Sequence, residues 1–317
     1  MAESYNTLAG LVQFNDKNLA DLNVTDLLED APLMQVLHAQ AASNGTEHKY
    51  LKQTTASSAA FRAAVAGLDK TCSADTLVTD TLAIMDGSFH TDVALADAYK
   101  GGRDAWLQIE LVRTMKAIFA HAEAQVIYGV GNDATGFPGL VDNAQLDADG
   151  DTMVVNAAGA GVATQTSCFL LRSGMDDCSF ILGNGGNIVV EDDPSVIAWK
   201  PSASATLSYP ALYVGVTGYS GFQIGGAYSA ARICNIECST LTSSTAFSDE
   251  HIFAALSKFP ASRQPNLIVL NRDALRMLRQ SRSAYSVTGA PAPIPTEVAS
   301  IPIVVTDQID STEAVVS

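Results

Sequence analysis

Apolar residues recur mostly at spacings of three and four over residues 102–128, through Trp106, Ile109, Val112, Met115, Ile118 and on to Ile127. That is the pattern of a helix with one core-facing stripe. At 1.5 Å per residue it runs about 40 Å, with Gly101-Gly102 and Gly129-Val130-Gly131-Asn132 as its stops. Ahead of it, a helical pattern at 24–42 is broken by Pro32, and residues 1–47 read as an arm. Residues 48–91 offer extended candidates at 49–54, 60–65 and 76–86, with few large apolar groups to anchor a core. The expected form is a projecting hairpin or loop. After the helix, the turn cluster Thr135-Gly136-Phe137-Pro138-Gly139-Leu140 leads into strands at 168–172, 179–182, 187–190, 211–216 and 231–236. From Ser248, a capped helix (252–259), a strand (266–270), a helix (271–280) and a strand (301–306) predict a compact α/β unit. The last dozen residues read as a polar tail.

Length, charge and cysteine count narrow the function classes. A chain of 317 residues is long enough for about two domains and a substantial core. Its 18 basic and 34 acidic residues give a net charge of -16, which excludes a basic wrapper of nucleic acid. The five cysteines form no Cys-x-x-Cys pair, so neither a disulfide framework nor a zinc site is indicated, and a reducing compartment fits. Cys168 and Cys178 lie symmetrically about residue 173 in a hairpin candidate, where they would face each other as small buried thiols. The uncharged stretch 201–231 is interrupted by Gly, Ser, Thr and Pro and reads as buried sheet, not a membrane span. The N-terminus lacks the basic and apolar regions of a signal peptide.

Sites of chemistry are weakly marked. Asp147-Ala148-Asp149-Gly150-Asp151 has the flavour of a calcium loop, but its Gly is fourth and Ala158 stands where position 12 requires Glu. An exposed acidic turn is the simpler reading. Gly183-Asn184-Gly185-Gly186 and Gly225-Gly226-Ala227 lack the lysine and the strand-to-helix context of a phosphate cradle. The five histidines show no metal-ligand spacing, and no Gly-x-Ser-x-Gly elbow accompanies them. No catalytic, cofactor-binding or metal-ligating residue is therefore assigned. Glu110 and Arg113 can pair at i, i+3 on the long helix, and Lys52 and Lys70 lie in the projecting segment, where acidic groups of a neighbour could meet them.

Three stretches carry a family resemblance. His48-Lys49-Tyr50 through Phe61-Arg62, Ile127-Tyr128-Gly129 with Gly136-Phe137-Pro138-Gly139-Leu140, and the segment from Asn266 through Leu275 with 301–307 occur in this order. They resemble the E-loop, the spine-helix exit and the late A-domain of the major capsid protein of tailed bacteriophages, the Hong Kong 97 capsid fold. The resemblance implies an α+β chain with an N-terminal arm (1–47), an extended E-loop (48–100), a P-domain of spine helix and antiparallel sheet (101–245) and an A-domain-like unit (246–317). It implies a non-enzymatic shell subunit forming hexamers and pentamers of an icosahedral head, located in the virion and assembled in the host cytoplasm. Implied partners are further copies, portal, a separate scaffold or none, a decoration protein, and double-stranded DNA touched weakly and without specificity. No cofactor and no membrane are implied. Lys52, Arg62, Lys70, Glu110 and Arg113 are the candidates for assembly contacts. An encapsulin-like compartment shell and, in another class, a soluble cytoplasmic hydrolase are the alternatives. On this reading, deleting residues 55–85 leaves a foldable subunit that cannot form shells.

Overall fold

The computed structural model describes residues 27–55, 57–67, 72–100, 102–183, 185–186, 188–191, 194–200, 206–238, 247–284 and 291–317. The first half comprises α1 (Pro32–Val36), β1 (Ala39–Ala41), β2 (Glu47–Thr55), β3 (Ala74–Thr81), β4 (Ala83–Asp86), β5 (Phe89–Asp92), α2 (Val93–Ala98) and α3 (Arg103–Tyr128). Strands β6 (Val154–Asn156), β7 (Gln165–Leu171), β8 (Cys178–Leu182), β9 (Ile188–Val190), β10 (Ser195–Trp199), β11 (Tyr209–Val214), β12 (Val216–Ile224) and β13 (Ala230–Glu237) follow. The chain continues through α4 (Asp249–Leu256), β14 (Leu267–Leu270), α5 (Arg272–Ala284), β15 (Glu297–Val298) and β16 (Ile301–Val305). One sheet runs β15-β16-β14-β7-β13-β6, a second β1-β8-β12-β4 with β9 also on β12, and a third β10-β11-β5; β2 and β3 form a two-stranded sheet.

Helix α3 links two cores. Its C-terminal half buries Ala122, Val126 and Ile127 with Phe169, Ile268 and Met277 of the six-stranded sheet and α5. Its N-terminal half buries Leu107, Leu111, Met115 and Ile118 with Ile188, Val190, Leu212 and Val214. Each fully buried Leu or Ile contributes about 1.5–3 kcal/mol relative to exposure, so both cores hold the helix firmly. Near its start the buried residues are Leu107 and Leu111, while Trp106, Ile109 and Val112 are only partly covered. The reason is that apolar residues flank the stripe on both sides there, so spacing alone does not centre it.

The exit of α3 is held by backbone contact. Leu140 N–H donates to Val126 O at 2.8 Å and Val141 N–H to Ile127 O at 3.1 Å, while Asp142 Oδ2 accepts from Val130 N–H at 2.9 Å and Gly139 N–H at 2.8 Å. A Cβ on Gly139 would lie 2.5 Å from Gly129 N and 2.6 Å from Gln125 O, both backbone atoms. Gly139→Ala is therefore expected to cost about 1–3 kcal/mol, measured as a lower thermal midpoint of the unassembled subunit.

Several expectations are corrected by pairing between distant segments. Of the helical pattern over 24–42, residues 24–26 lie outside the described residues; from 32 the rest forms the five-residue α1 followed by β1, which joins β8 in parallel from Ala39↔Phe180 to Ala41↔Leu182. Pro32 restarts the helix at its first turn, and the sheet then captures the chain. The extended candidate at 60–65 is not a strand. The run 76–86 is two strands broken at buried Leu82, with β3 on β2 and β4 on β12. Deleting 55–85 would thus remove a strand of the second sheet.

Cys168 and Cys178 do not face each other across a hairpin, because β7 and β8 belong to different sheets and the turn between them crosses from one to the other. Both are fully buried thiols. Strands on either side of residue 245 share one sheet, since β14 pairs with β7 from Leu267↔Leu171 to Val269↔Phe169. The C-terminal residues are built into the fold and do not form a free polar tail. Glu313 exchanges backbone hydrogen bonds with Gln165 at 2.9 and 3.3 Å, alongside the start of β7 that β14 does not reach. Asn235, at a bulge in β13 with φ 57°, bonds both backbone groups of Val316 through its side chain, at 2.8 and 2.9 Å.

Candidate assembly surface

The β2–β3 hairpin has two unlike faces because its residues alternate across the ladder. His48↔Asp80, Tyr50↔Val78 and Lys52↔Thr76 are opposed on one face, Lys49↔Thr79 and Leu51↔Leu77 on the other. The first face is anchored at its base. Ser43 N–H donates to His48 Nδ1 at 3.3 Å, so the other ring nitrogen, Nε2, carries the hydrogen toward Gln223 Oε1, 2.8 Å away. Gln40 Nε2 donates to the same Gln223 oxygen at 2.9 Å and to Ser179 Oγ at 2.7 Å, tying β1, β8 and β12 into this junction. The Tyr50 hydroxyl bonds the Asp80 carboxylate, and burial pushes both groups above their usual titration ranges.

The second face and the tip are bare. Leu51 and Leu77 are 68% and 59% exposed, and in the loop above them Phe61 and Val65 are fully exposed. Large apolar groups displayed together on one thin projection mark a surface that gains its burial from another molecule.

The expected assembly residues fall in two places. Lys52 is half-buried on the anchored face of the hairpin, and Arg62 lies in the exposed loop with Nη1 donating to Ala66 O at 3.3 Å. Lys70 lies outside the described residues. Glu110 and Arg113 pair with each other on α3 at 2.7 Å, with the Arg113 side chain 67% exposed. The structure thus brings Lys52 and Arg62 to one projection and leaves Glu110 and Arg113 on the helix.

Two buried ionisable clusters escaped the sequence reading. Glu123 is fully buried on α3, and its Oε2 accepts Leu33 N–H at 2.9 Å and Met34 N–H at 3.3 Å. These donors belong to the first turn of α1, where Ala31 supplies no side-chain cap; Met34 N–H also donates to Ala31 O at 3.1 Å, so Leu33 N–H is the one that relies on the carboxylate. The Thr306 hydroxyl, just beyond β16, bonds Oε1. Burial pushes the Glu123 carboxyl up to about 7, against the lowering effect of these three bonds. In the second cluster Arg232 of β13 reaches Ser167 Oγ (3.1 Å), Leu146 O (3.2 Å) and Glu313 Oε2 (3.4 Å), and Tyr128 OH donates to Glu313 Oε1 at 2.6 Å. The available signal was an acid inside an apolar helical stripe and an arginine inside the apolar run Ala230-Ala231-Arg232-Ile233-Cys234. Among the described residues no group of three or more His, Cys, Asp or Glu could hold a metal ion, and no helix is long and apolar enough to cross a membrane.

A sequence model of the family described as major capsid protein GP7 matches residues 16–317. Among solved structures, a chain of bacteriophage Epsilon15 superposes with a TM-score of 0.60 at 17% identity, covering 88% of each chain. The capsid of bacteriophage JBD30 gives 0.51 at 12% identity over 88% of this chain and 91% of that one. The JBD30 capsid decorated with minor capsid protein trimers gives 0.52 at 12% identity, over 96% and 99%. No curated protein matches. At these identities the likeness is one of fold.

Proposed function

The chain belongs to the major capsid protein GP7 family, and from that premise we propose that its copies assemble as hexamers and pentamers into an icosahedral head around double-stranded DNA. It is a structural protein of a phage virion capsid, and its α+β architecture is the Hong Kong 97 capsid fold. The observation that supports the assembly reading is the hairpin, whose outer face and tip expose Leu51, Leu77, Phe61 and Val65, with no covering surface among the described residues. Lys52, Arg62, Lys70, Glu110 and Arg113 remain the charged candidates for contacts between copies. The arm (1–47), E-loop (48–100), P-domain (101–245) and A-domain-like unit (246–317) are the family's names for the parts we assign.

Further partners follow from the same role. Portal, scaffold and a decoration protein are expected at the shell, and a net charge of -16 disfavours tight phosphate contacts, so packaged DNA meets the shell weakly and without sequence preference. Size-exclusion chromatography with negative-stain electron microscopy of the expressed protein, alone and with its neighbouring phage genes, tests the reading. Closed shells or capsomers support it; a persistent folded monomer under both conditions overturns it.

The hairpin's part is testable separately. Replacing residues 52–76 with an Asn-Gly turn that joins Leu51 to Leu77 shortens the ladder in register and leaves buried Leu82 and β4 in place. The variant is expected to keep its circular dichroism spectrum and a cooperative thermal transition while losing shell formation. Shells in wild-type yield would remove the hairpin from the assembly machinery.

A further inference from the structure

Strand β4 pairs with β12 and with no second strand among the described residues. Between its open edge and α3 lies a groove of about 380 Å³, within the range of about 300–1,000 Å³ that small-molecule sites occupy. Met85, Ile118, Ala122 and Phe137 give it an apolar lining. The direction of the strand along the helix is fixed at both ends. Gly87, just past β4, stands over the earlier helical turns, where a Cβ on it would lie 2.6 Å from Ile118 Cγ1 and 3.2 Å from Thr114 Cγ2. At the far end Gln125 Nε2 donates to Asp133 O at 3.1 Å and to Phe137 O at 2.7 Å.

Two carboxylates line the groove, one towards each end. Asp86 adjoins Gly87 at the Thr114 and Ile118 end, and Asp133 faces His121 Nε2 at 3.6 Å beside Gln125. The midpoints of those two stretches of α3 are about seven residues apart, or about 10 Å along the helix. Asp86 Oδ1 accepts from Ser88 N–H at 2.8 Å and from its hydroxyl at 2.5 Å, and Asp133 Oδ1 from Thr135 N–H at 2.9 Å and its hydroxyl at 2.7 Å. These bonds hold both carboxyls below the usual carboxylate range, so both are charged at neutral pH. Among the described residues no Lys or Arg pairs with either. Separated anions joined by an apolar floor select a ligand that is cationic at both ends and apolar between them. With a charge-assisted contact of about 2.8 Å at each end, about 4–6 Å is left between two ammonium nitrogens, which fits a chain of three or four methylenes.

We propose that the groove between β4 and α3 binds a short α,ω-diamine, with one ammonium at Asp86, the other at Asp133, and the methylenes along Ile118 and Phe137. Held at both ends, the ligand ties the second sheet to the exit of α3. It also neutralises two carboxylates in a chain of net charge -16, which lowers the repulsion within and between copies. The ammonium at Asp133 shares that carboxylate with the His121 imidazole.

Titration calorimetry of the full-length protein with 1,4-diaminobutane in low-salt buffer tests it. One site per chain is expected, about fivefold or more tighter than for butylamine, the gain of one further exposed ion pair. Asp86→Asn and Asp133→Asn are each expected to weaken the diamine about fivefold, towards the butylamine value. Each amide keeps an oxygen for Ser88 or Thr135 to donate to while removing the charge. Asp104→Asn takes a carboxylate from the exposed start of α3, outside the groove, and is expected to leave binding unchanged. As a second readout, the diamine is expected to raise the thermal midpoint of the wild type, and butylamine at twice the concentration is not. Circular dichroism of each variant separates misfolding from a lost site. Equal affinity for diamine and butylamine, or an equal loss in Asp104→Asn and the two groove variants, would reduce the effect to the general attraction of an acidic surface for cations and overturn the proposal.

Discussion

Arg232→Met is expected to destabilise the unassembled subunit by about 3–5 kcal/mol, seen as a lower urea midpoint at unchanged m-value. The side chains of Arg232 and Glu313 are only 4% and 8% exposed, and they are each other's counter-charge at 3.4 Å. With the cation gone, the carboxylate keeps the hydroxyls of Tyr128 and Ser167 but has no opposite charge in a site closed to water. The C-terminal segment is then the weak point, because Glu313 is the residue through which it pairs with Gln165. Replacing both partners, Arg232→Met with Glu313→Leu, removes the stranded charge, so the double variant is expected to lose less than the two single losses added together, with a coupling of about 0.5–3 kcal/mol. Strict additivity, or a loss below about 1 kcal/mol as for an exposed pair, would show that the pair does not hold the C-terminal segment.

The contribution of Glu123 to stability is expected to fall as pH rises from about 4.5 to about 7, by about 3 kcal/mol in total. The folded chain holds the Glu123 proton up to about 7, whereas an unfolded chain releases it near 4.5. Between those values the folded state binds more protons, so its stability drops with rising pH and levels off above the folded value. Glu123→Gln imitates the protonated acid: its amide oxygen can accept from Leu33 and Met34, and its NH₂ can donate to the Thr306 hydroxyl. That variant is expected to match the wild type near pH 5 and exceed it near pH 8. Asp86 and Asp133, whose carboxyls are held below the usual range by bonds from Ser88 and Thr135, act in the opposite sense in both proteins. The wild-type minus Glu123→Gln difference therefore isolates the buried acid. Glu123→Ala takes away the partner of Leu33 N–H at every pH, at about 1–3 kcal/mol, while Met34 N–H keeps its bond to Ala31 O. Identical pH profiles for the wild type and the Gln variant would refute the assignment.

Legibility in the sequence followed the range of the interactions involved. Helix α3 was readable to within a residue because apolar spacing and flanking glycines act within a few turns. So were strands β8, β14 and β16 with their short apolar runs, while α4 starts at its Ser248 cap as expected but ends at Leu256, three residues before the expected 259. The Glu110–Arg113 pair was also readable, being a contact one helical turn long. The tip residue Arg62 and hairpin residue Lys52 were placed on the projection, but the anchoring of its first face through His48 on Gln223 was not visible, since those two stand 175 residues apart.

Local patterning by itself determined the long helix, the strand-rich middle, the α/β end and the thin projecting segment, because each depends on side chains that are neighbours along the chain. The tertiary structure alone decided which strands share a sheet, that 39–41 leaves the helical pattern to join β8, and that Cys168 and Cys178 part into different sheets. It alone turned a polar C-terminus into a structural segment, through Glu313 with Arg232 and Val316 with Asn235. A buried charge or a lone polar side chain gains its free energy from partners 80 or more residues away, and no local pattern records where those partners will be.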